Sequence, residues 1–576
     1  MRIGLLKRIF IVLILMLFAS LAYNQLIKGP DYLQLSQNNR IKLIRLDAPR
    51  GLIYDRNGEL VAGLRLVFNV ALFPQEVEDI QKALQAISPL VGLSKESLMA
   101  QYKNNFSAPF IPVVIAQDVP KETAIILECQ ESNIPGLVIQ TQSLRDYIYG
   151  ETLSHVLGYL GKITEEELKK FKVYGLWDKN LLGRSGVEQV YDSLLRGQVG
   201  GMQVEVNNRG HRVRMLGVRY PQSGEDLYLT IDIHLQKLVD ELLSGKKGVC
   251  IVMDPQNGEI LSMVSKPSFD PNQFILALNG NPGARRIIAK LLNSQDAALI
   301  NRAISATYPP GSIFKIVVAA CGLETGEIDS RSTVHCSGSI RVGKRDLHCW
   351  KLDGHGDEDI YSALGHSCNV FFYRLALELG PDKLSMFAHK FGLGSLTAID
   401  LPFESDGLVP SKSWKIKTKK EKWYDGETAN FAIGQGYLLT TPLQMARLIS
   451  AVANGGYLIQ PHVVRRAGAR VTKNTSLTMA FKDFTWRTIR EGMRMVVQDE
   501  EGTGHRAYIP GCQWAAKTGT AQTFQGMAHG WFGGFYPYDQ PRIAILVFLE
   551  HGGSGGDAPA SIAKEVIQYL RKNKEL

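Results

Sequence analysis

The sequence predicts an α+β protein, in which the C-terminal part is one antiparallel sheet covered by helices. Three observations carry that expectation. Residues 248–264 and 515–551 hold apolar runs of strand length, whereas residues 310–500 between them read as helix-rich. One long apolar run lies near the N-terminus, at Ile9–Ala22, with Arg2, Lys7 and Arg8 ahead of it. The 576 residues are 45% hydrophobic and 21% charged, ordinary globular values that exclude disordered, collagen-like and coiled-coil chains. At about 100–200 residues per domain, this length calls for about two to four folded units. A chain of this size needs no disulfide scaffold, and the count of seven cysteines leaves at least one unpaired.

In chain order, residues 1–8 are a basic tail and residues 9–27 a transmembrane anchor. The apolar stretch is at the short end for a spanning helix, and Ser20-Leu21-Ala22 would also suit cleavage as a signal peptide. The positive-inside rule places the N-terminus in the cytoplasm, and both readings export the rest. Residues 1–45 hold seven basic side chains against Asp31 alone, most of the net charge of +9. Basic charge bracketing an apolar segment is a membrane feature; a nucleic-acid binder concentrates it on a folded domain, so no nucleic-acid partner is expected.

Residues 28–46 read as a polar stalk, residues 47–224 as a first mixed module and residues 244–572 as a second. The first opens with a hairpin signal at Asn57-Gly58 and continues through amphipathic stretches at Glu76–Val91 and Thr164–Phe171. Nothing in it assembles a nucleophile with a base, so it reads as a structural or interaction domain. In the second, GVCIVMDPQNGEILSMV predicts two buried strands around Asn257-Gly258. Residues 515–522, 529–537 and 542–551 predict three more strands, and Ser561–Lys572 a closing helix.

Three short motifs in the second module carry chemistry. After the chain-breaking Pro309-Pro310-Gly311, Ser312 opens an apolar helix and Lys315 lies one turn away on the same face. A lysine desolvated there has a lowered pKa and, when neutral, can accept the serine proton. The spacing alone is weak, since Ser244/Lys247 and Ser561/Lys564 share it and read as solvated surface. Ser367-Cys368-Asn369 follows 55 residues after Ser312, and could by itself be a helix cap. Lys517-Thr518-Gly519-Thr520 falls in a predicted strand; a Lys-Thr-Gly triplet arises by chance about 0.1 times in such a chain. Glycine in a strand admits another backbone or a ligand.

Ser-x-x-Lys, Ser-x-Asn and Lys-Thr-Gly together resemble the penicilloyl serine transferases. PRGLIYDRNG (49–58), GRSGVEQVYDSLLRG (183–197), MDPQNGEILSMVS (253–265) and FAIGQGYLLTTPLQMA (431–446) resemble class B penicillin-binding proteins, and HCWKLDGHG (348–356) with HGWFGGFYP (529–537) their elongation-type branch rather than the septal one. The resemblance implies a penicillin-binding transpeptidase domain on an elongated pedestal. It implies a peptidoglycan D,D-transpeptidase with a carboxypeptidase-type first half-reaction, acting on stem peptides and lipid-linked precursor polymer and inhibited by β-lactams. Ser312 would be the nucleophile, Lys315 its base, and Ser367 with Lys517 a proton relay. Asn369, Thr518, Gly519 and Thr520 would bind substrate. No glycosyltransferase motif is visible, so a SEDS-type membrane glycosyltransferase and the elongation machinery are the implied partners. A β-lactamase or sensor shares the three motifs but needs no exported first module of this size, and an idle scaffold would not need every polar motif residue.

Cys336, Cys349, His355 and Cys368 fall within 33 residues. Three Cys and one His suit a closed, structural zinc site, and elongation-type relatives resemble this chain in carrying a metal-competent set here. His335, His348 and His366 are alternative ligands, and a Cys336–Cys349 disulfide is the alternative that export favours. Cys129, Cys250, Cys321 and Cys512 read as buried thiols.

Overall fold

A computed structural model of the chain describes residues 2–164, 166–168, 181–207, 212–523 and 526–573. The N-terminal helix runs Arg2–Ala22 and continues through a π-turn, Tyr23–Ile27. Its Ile3–Ile27 stretch is long and apolar enough to cross a membrane, and its apolar window is exposed throughout. It begins ahead of Ile9 because Lys7 and Arg8 are good helix formers. The segment expected as a stalk is regular: a helix, Gly29–Arg40, then a strand, Ile41–Leu46, paired antiparallel with Gly200–Val206. A partner more than 150 residues away satisfies that backbone, which no local pattern reveals.

Two compact units form, and neither is continuous in sequence: Met1–Gly51, Leu64–Leu144 and Arg196–Gly224 make one, and Leu52–Gly63, Arg145–Leu195 and Glu225–Leu576 the other. The first has its own core, where Leu84, Ile87, Leu98 and Leu127 from three helices pack on the strand pairing of Phe68–Leu72 with Val113–Val119. The helix expected from Glu76 starts at Ile80, because the Asp79 carboxylate accepts the N–H groups of Gln81 and Lys82 as its cap. Cys129, expected to be buried, is exposed at the end of the Lys121–Glu128 helix. Of the stretch expected as a helix at Thr164–Phe171, residues 166–168 are helical and half of its residues, 165 and 169–171, lie outside the described residues.

In the second unit, α1 (Ile233–Leu242) precedes a five-stranded antiparallel sheet. Its strands are β1 (Gly248–Met253), β2 (Ile260–Lys266), β3 (Ala515–Ala521), β4 (His529–Tyr536) and β5 (Ile543–Leu549), in the order β2-β1-β5-β4-β3. Between β2 and β3 come α2 (Lys315–Thr325), α3 (Asn369–Leu379), α4 (Lys412–Lys419), α5 (Asp425–Ala432), α6 (Pro442–Ala453) and α7 (Asp483–Gln498); α8 (Ala558–Lys572) closes the chain. The closing helix starts before Ser561, with Pro559 in its first turn. α1 and α8 pack on one face, through Leu235, Val239, Val566 and Ile567, and α6, buried along its whole length, packs on the other. Covered on both faces, β1 and β5 are buried at every residue, which explains their unbroken apolar runs. The helix-rich middle also holds small antiparallel pairs not expected there, Val334–Cys336 with Gly356–Glu358 and Ser339–Val342 with Arg345–His348.

Candidate active site

β3 is the edge strand, and the turn carrying Ser312 is wedged against it. Gly311 has φ +58°, and a Cβ there would stand 2.9 Å from the Thr520 carbonyl oxygen. Gly311 N–H donates to the Gly434 carbonyl (3.0 Å), and Trp531 Nε1 donates to that of Pro309 (3.0 Å). A Cβ on Gly519 would lie 2.9 Å from the Pro310 oxygen, the close backbone approach expected of a glycine in this strand. Gly311–Phe314 is one turn of 3₁₀-helix leading into α2. At three residues per turn the side chains of i and i+3 eclipse, so Ser312 and Lys315 share an edge. Ser312 is half-buried, and among the described residues its hydroxyl makes no hydrogen bond.

Lys315 is fully buried and turned to the second motif. Its Nζ donates to the Ser367 carbonyl (2.7 Å), to Ser367 Oγ (3.2 Å) and to Asn369 Oδ1 (2.7 Å). Ser367 has φ +55°, a left-handed conformation unusual for a residue with a Cβ. Its side chain does not cap α3; the N-cap position is Cys368, which makes no side-chain cap bond. Ser367 Oγ reaches Lys315, and no hydrogen bond joins it to Lys517 among the described residues.

Lys517 is also fully buried, with Nζ donating to the Thr518 carbonyl at 3.3 Å. Burial pushes the Lys315 pKa down to about 8, with the Cys368 and Cys349 sulfurs opposing. Burial, and then the Lys315 charge, push Lys517 well below the ordinary lysine range. Two ammonium groups are disfavoured side by side in one dry site. Thr518 is buried and its hydroxyl shares a 2.7 Å bond with Thr503, whereas Thr520 is exposed on the edge strand.

The cysteine cluster lies directly behind the second motif. The Sγ atoms of Cys336, Cys349 and Cys368 and a ring nitrogen of His355 all fall within 4.8 Å of one another. His355 Nδ1 is 3.6 Å from Cys336 Sγ and 3.5 Å from Cys349 Sγ. Donors 2.0–2.3 Å from a tetrahedral ion would be about 3.3–3.8 Å apart, so this set could hold a metal. All the cysteines are free thiols. The Cys368 thiol donating to Cys349 holds the Cys349 pKa low, and Asn369 N–H adds to that (3.3 Å). The alternative ligands are committed elsewhere or face solvent: His335 pairs with Asp357 (2.7 Å), His366 with Glu358 (2.9 Å), and His348 is exposed.

Residues 248–568 match the penicillin binding protein transpeptidase domain, and residues 45–229 the penicillin-binding protein dimerisation domain. The chain belongs to the penicillin-binding transpeptidase family. It is 36% identical to the peptidoglycan D,D-transpeptidase MrdA of Acinetobacter baumannii, over 97% of this chain and 86% of that protein. It superimposes on the penicillin-binding protein PBP2 of Helicobacter pylori, solved in complex with MreC, with a TM-score of 0.84 and 32% identity, covering 93% of this chain and 99% of that one. A solved structure described as coordinating polymerization and crosslinking in a peptidoglycan synthase complex matches with a TM-score of 0.75 and 29% identity, over 98% of this chain and 97% of that one.

In this penicillin-binding family member, sequence reasoning missed Thr503 and Gln435 as neighbours of the site. Gln435 Nε2 donates to the Thr520 carbonyl at 3.4 Å, and a Cβ on Gly434 would stand 2.1 Å from the Gly311 oxygen. Gly434-Gln435-Gly436 was legible as part of a family-like block; nothing local marks Thr503.

Proposed function

We propose that the protein is an elongation-type peptidoglycan D,D-transpeptidase. What carries this reading is the convergence of Ser312, Lys315, Ser367, Asn369 and Lys517 beside the open edge of β3 in a member of this family. Ser312 Oγ attacks the carbonyl carbon of the penultimate D-alanine of a stem peptide, and Lys315, when neutral, takes the hydroxyl proton. The bond to terminal D-alanine breaks, and the departing nitrogen takes its proton from Ser367 Oγ, which recovers one from Lys315 Nζ at 3.2 Å. An amine from a neighbouring stem attacks the ester and restores the Ser312 hydroxyl; water in its place gives carboxypeptidase turnover. The N–H groups of Ser312 and Thr520 form the oxyanion hole, worth about 10²–10³ in rate per donor. Asn369 binds the peptide amide. Lys517, Thr518 and Thr520 supply the carboxylate pocket, Thr518 through its contact with Thr503, and Gly519 keeps the strand open to substrate. β-Lactams acylate Ser312 and remain.

Cys336, Cys349, His355 and Cys368 would hold zinc, a structural ion that braces the Ser367–Asn369 segment through Cys368. The N-terminal helix anchors the protein once, residues 1–8 in the cytoplasm and residues 47–224 (pedestal) and 244–572 (transpeptidase) outside the inner membrane. A SEDS-type glycosyltransferase supplies the glycan polymer, and the elongation machinery, with MreC as the solved relative's partner, receives the pedestal.

Intact-mass spectrometry of the full-length protein in detergent with benzylpenicillin tests the reading. A stable single penicilloyl adduct, absent in Ser312→Ala, is expected. Drug hydrolysis without an adduct would instead make the protein a β-lactamase.

A further inference from the structure

Residues 412–422 carry six lysines and one acidic residue, Glu421. One of the lysines is structural. Lys415 is buried, and its Nζ meets Glu427 (2.5 Å), the Lys422 carbonyl (2.9 Å) and Glu421 (3.5 Å), so it absorbs the nearby carboxylates. Lys412 lies 3.5 Å from Asp382. Lys417, Lys419, Lys420 and Lys422 are exposed and have no carboxylate partner among the described residues. Like charges this dense repel one another, so an ordered segment that gathers them without counter-charge is a site for an anion from outside.

The segment is tied by ring packing to the turn that carries Ser312. Trp414 packs on Tyr437 at 5.2 Å between ring centroids. Trp423 packs on Phe431 (6.4 Å), which stacks on Phe314 in the Ser312 turn (5.0 Å). Between Phe431 and Tyr437, Gln435 reaches the Thr520 carbonyl. Lys420 closes α4 at φ +61°, a position that glycine fills at less cost, so the charge is placed where the backbone disfavours any side chain. Tyr424 is 53% exposed beside these lysines, an aromatic face that a sugar ring can cover.

We propose that Lys417, Lys419, Lys420 and Lys422 form a docking rim for the carboxylate-bearing glycopeptide strand that presents its stem peptide to Ser312. The proposal rests on the transpeptidase reading: the reacting stem's terminal carboxylate occupies the Lys517–Thr520 pocket, and the other stems of the same strand bring further free carboxylates, and the glycan its sugar rings, to the neighbouring rim. The rim holds the strand by charge while the reacting stem lies along β3.

The test is co-sedimentation of the full-length protein in detergent with purified peptidoglycan sacculi across a salt series. Wild-type protein should bind at low salt and be released by salt. The Lys417→Gln/Lys419→Gln/Lys420→Gln/Lys422→Gln variant should bind at least about tenfold more weakly. Sacculi with carboxylates converted to amides should hold the wild type no better than they hold that variant. Lys420→Gly should bind more weakly with a Tm no lower than wild type, which separates lost charge from lost folding. Undiminished binding by the four-residue variant or to amidated sacculi would overturn the proposal. Retention on phosphatidylglycerol vesicles instead of sacculi would overturn it in favour of a lipid surface. Acylation of the wild type by benzylpenicillin, measured in parallel, reports on Ser312 separately, so failure of the rim and failure of the functional reading are distinguishable.

Discussion

Lys315 Nζ donates to both the carbonyl oxygen and Oγ of Ser367, at 2.7 and 3.2 Å, and Ser367 meets it from a left-handed backbone at φ +55°. With Asn369 Oδ1 as the third acceptor, every proton of a Lys315 ammonium is used, and none of these bonds involves Ser312. In this arrangement the lysine is engaged with the second motif, and it becomes a base for Ser312 on losing a proton.

The backbone at Ser367 separates strain from chemistry. Ser367→Gly is expected to be more stable than Ser367→Ala by about 1 kcal/mol, because glycine adopts this φ without a Cβ clash. Both should lose about 10²–10⁴ in acylation by benzylpenicillin, the range for a missing proton-transfer group. Thermal melts and timed intact-mass spectra report the two effects, and wild-type acylation in both variants would remove Ser367 from the reaction.

Acylation should rise with pH. The Lys315 pKa is pushed down to about 8, so below that pH the side chain is mostly an ammonium and cannot accept the Ser312 proton. The rate is expected to climb up to about tenfold per pH unit below that value and to level off above it. A rate that is flat or falls from roughly pH 6 to pH 9 would exclude Lys315 as the base.

Gly434→Ala should damage the site from outside the three motifs. Its Cβ would stand 2.1 Å from the Gly311 oxygen, at φ +70°, and the displaced atom precedes the nucleophile by one residue. A loss of about 1–3 kcal/mol is expected, together with slower acylation. Gly426→Ala, at the start of α5 with no atom within 4 Å of the new Cβ, is the control and should leave both unchanged or slightly improved.

Metal analysis of purified protein should find about one zinc per chain. Chelation, or His355→Ala, should lower Tm and slow acylation, because Cys368 sits between Ser367 and Asn369. Far less than one zinc, with a mass two hydrogens below the reduced chain, would favour a Cys336–Cys349 disulfide.

The apolar runs of β1 and β5 and the turns at Gly58 and Gly258, with φ +87° and +82°, were legible because their signals are local: side-chain period and backbone freedom. The same holds for Lys315, whose place beside Ser312 follows from helical spacing. Thr503 was not legible, since its 2.7 Å contact with Thr518 joins two segments that nothing in either one pairs. Cys129 read as buried from its apolar neighbours, but it ends a helix whose Ile125 and Ile126 are themselves half exposed.

The sequence by itself determined the chemistry available to this protein: a serine with a lysine one turn away, a Ser-x-Asn, a Lys-Thr-Gly strand, a thiol-rich cluster and an apolar N-terminus. Each depends on residue identity at short spacing. Only the tertiary structure decided that Lys315 turns to Ser367 and Asn369, that Gly311, Gly434 and Gly519 let three backbones meet, and that the strand Ile41–Leu46 is paired rather than a linker. Those outcomes depend on contacts between residues tens to hundreds of positions apart, whose closure is favoured by burial of the whole core and not by any one segment.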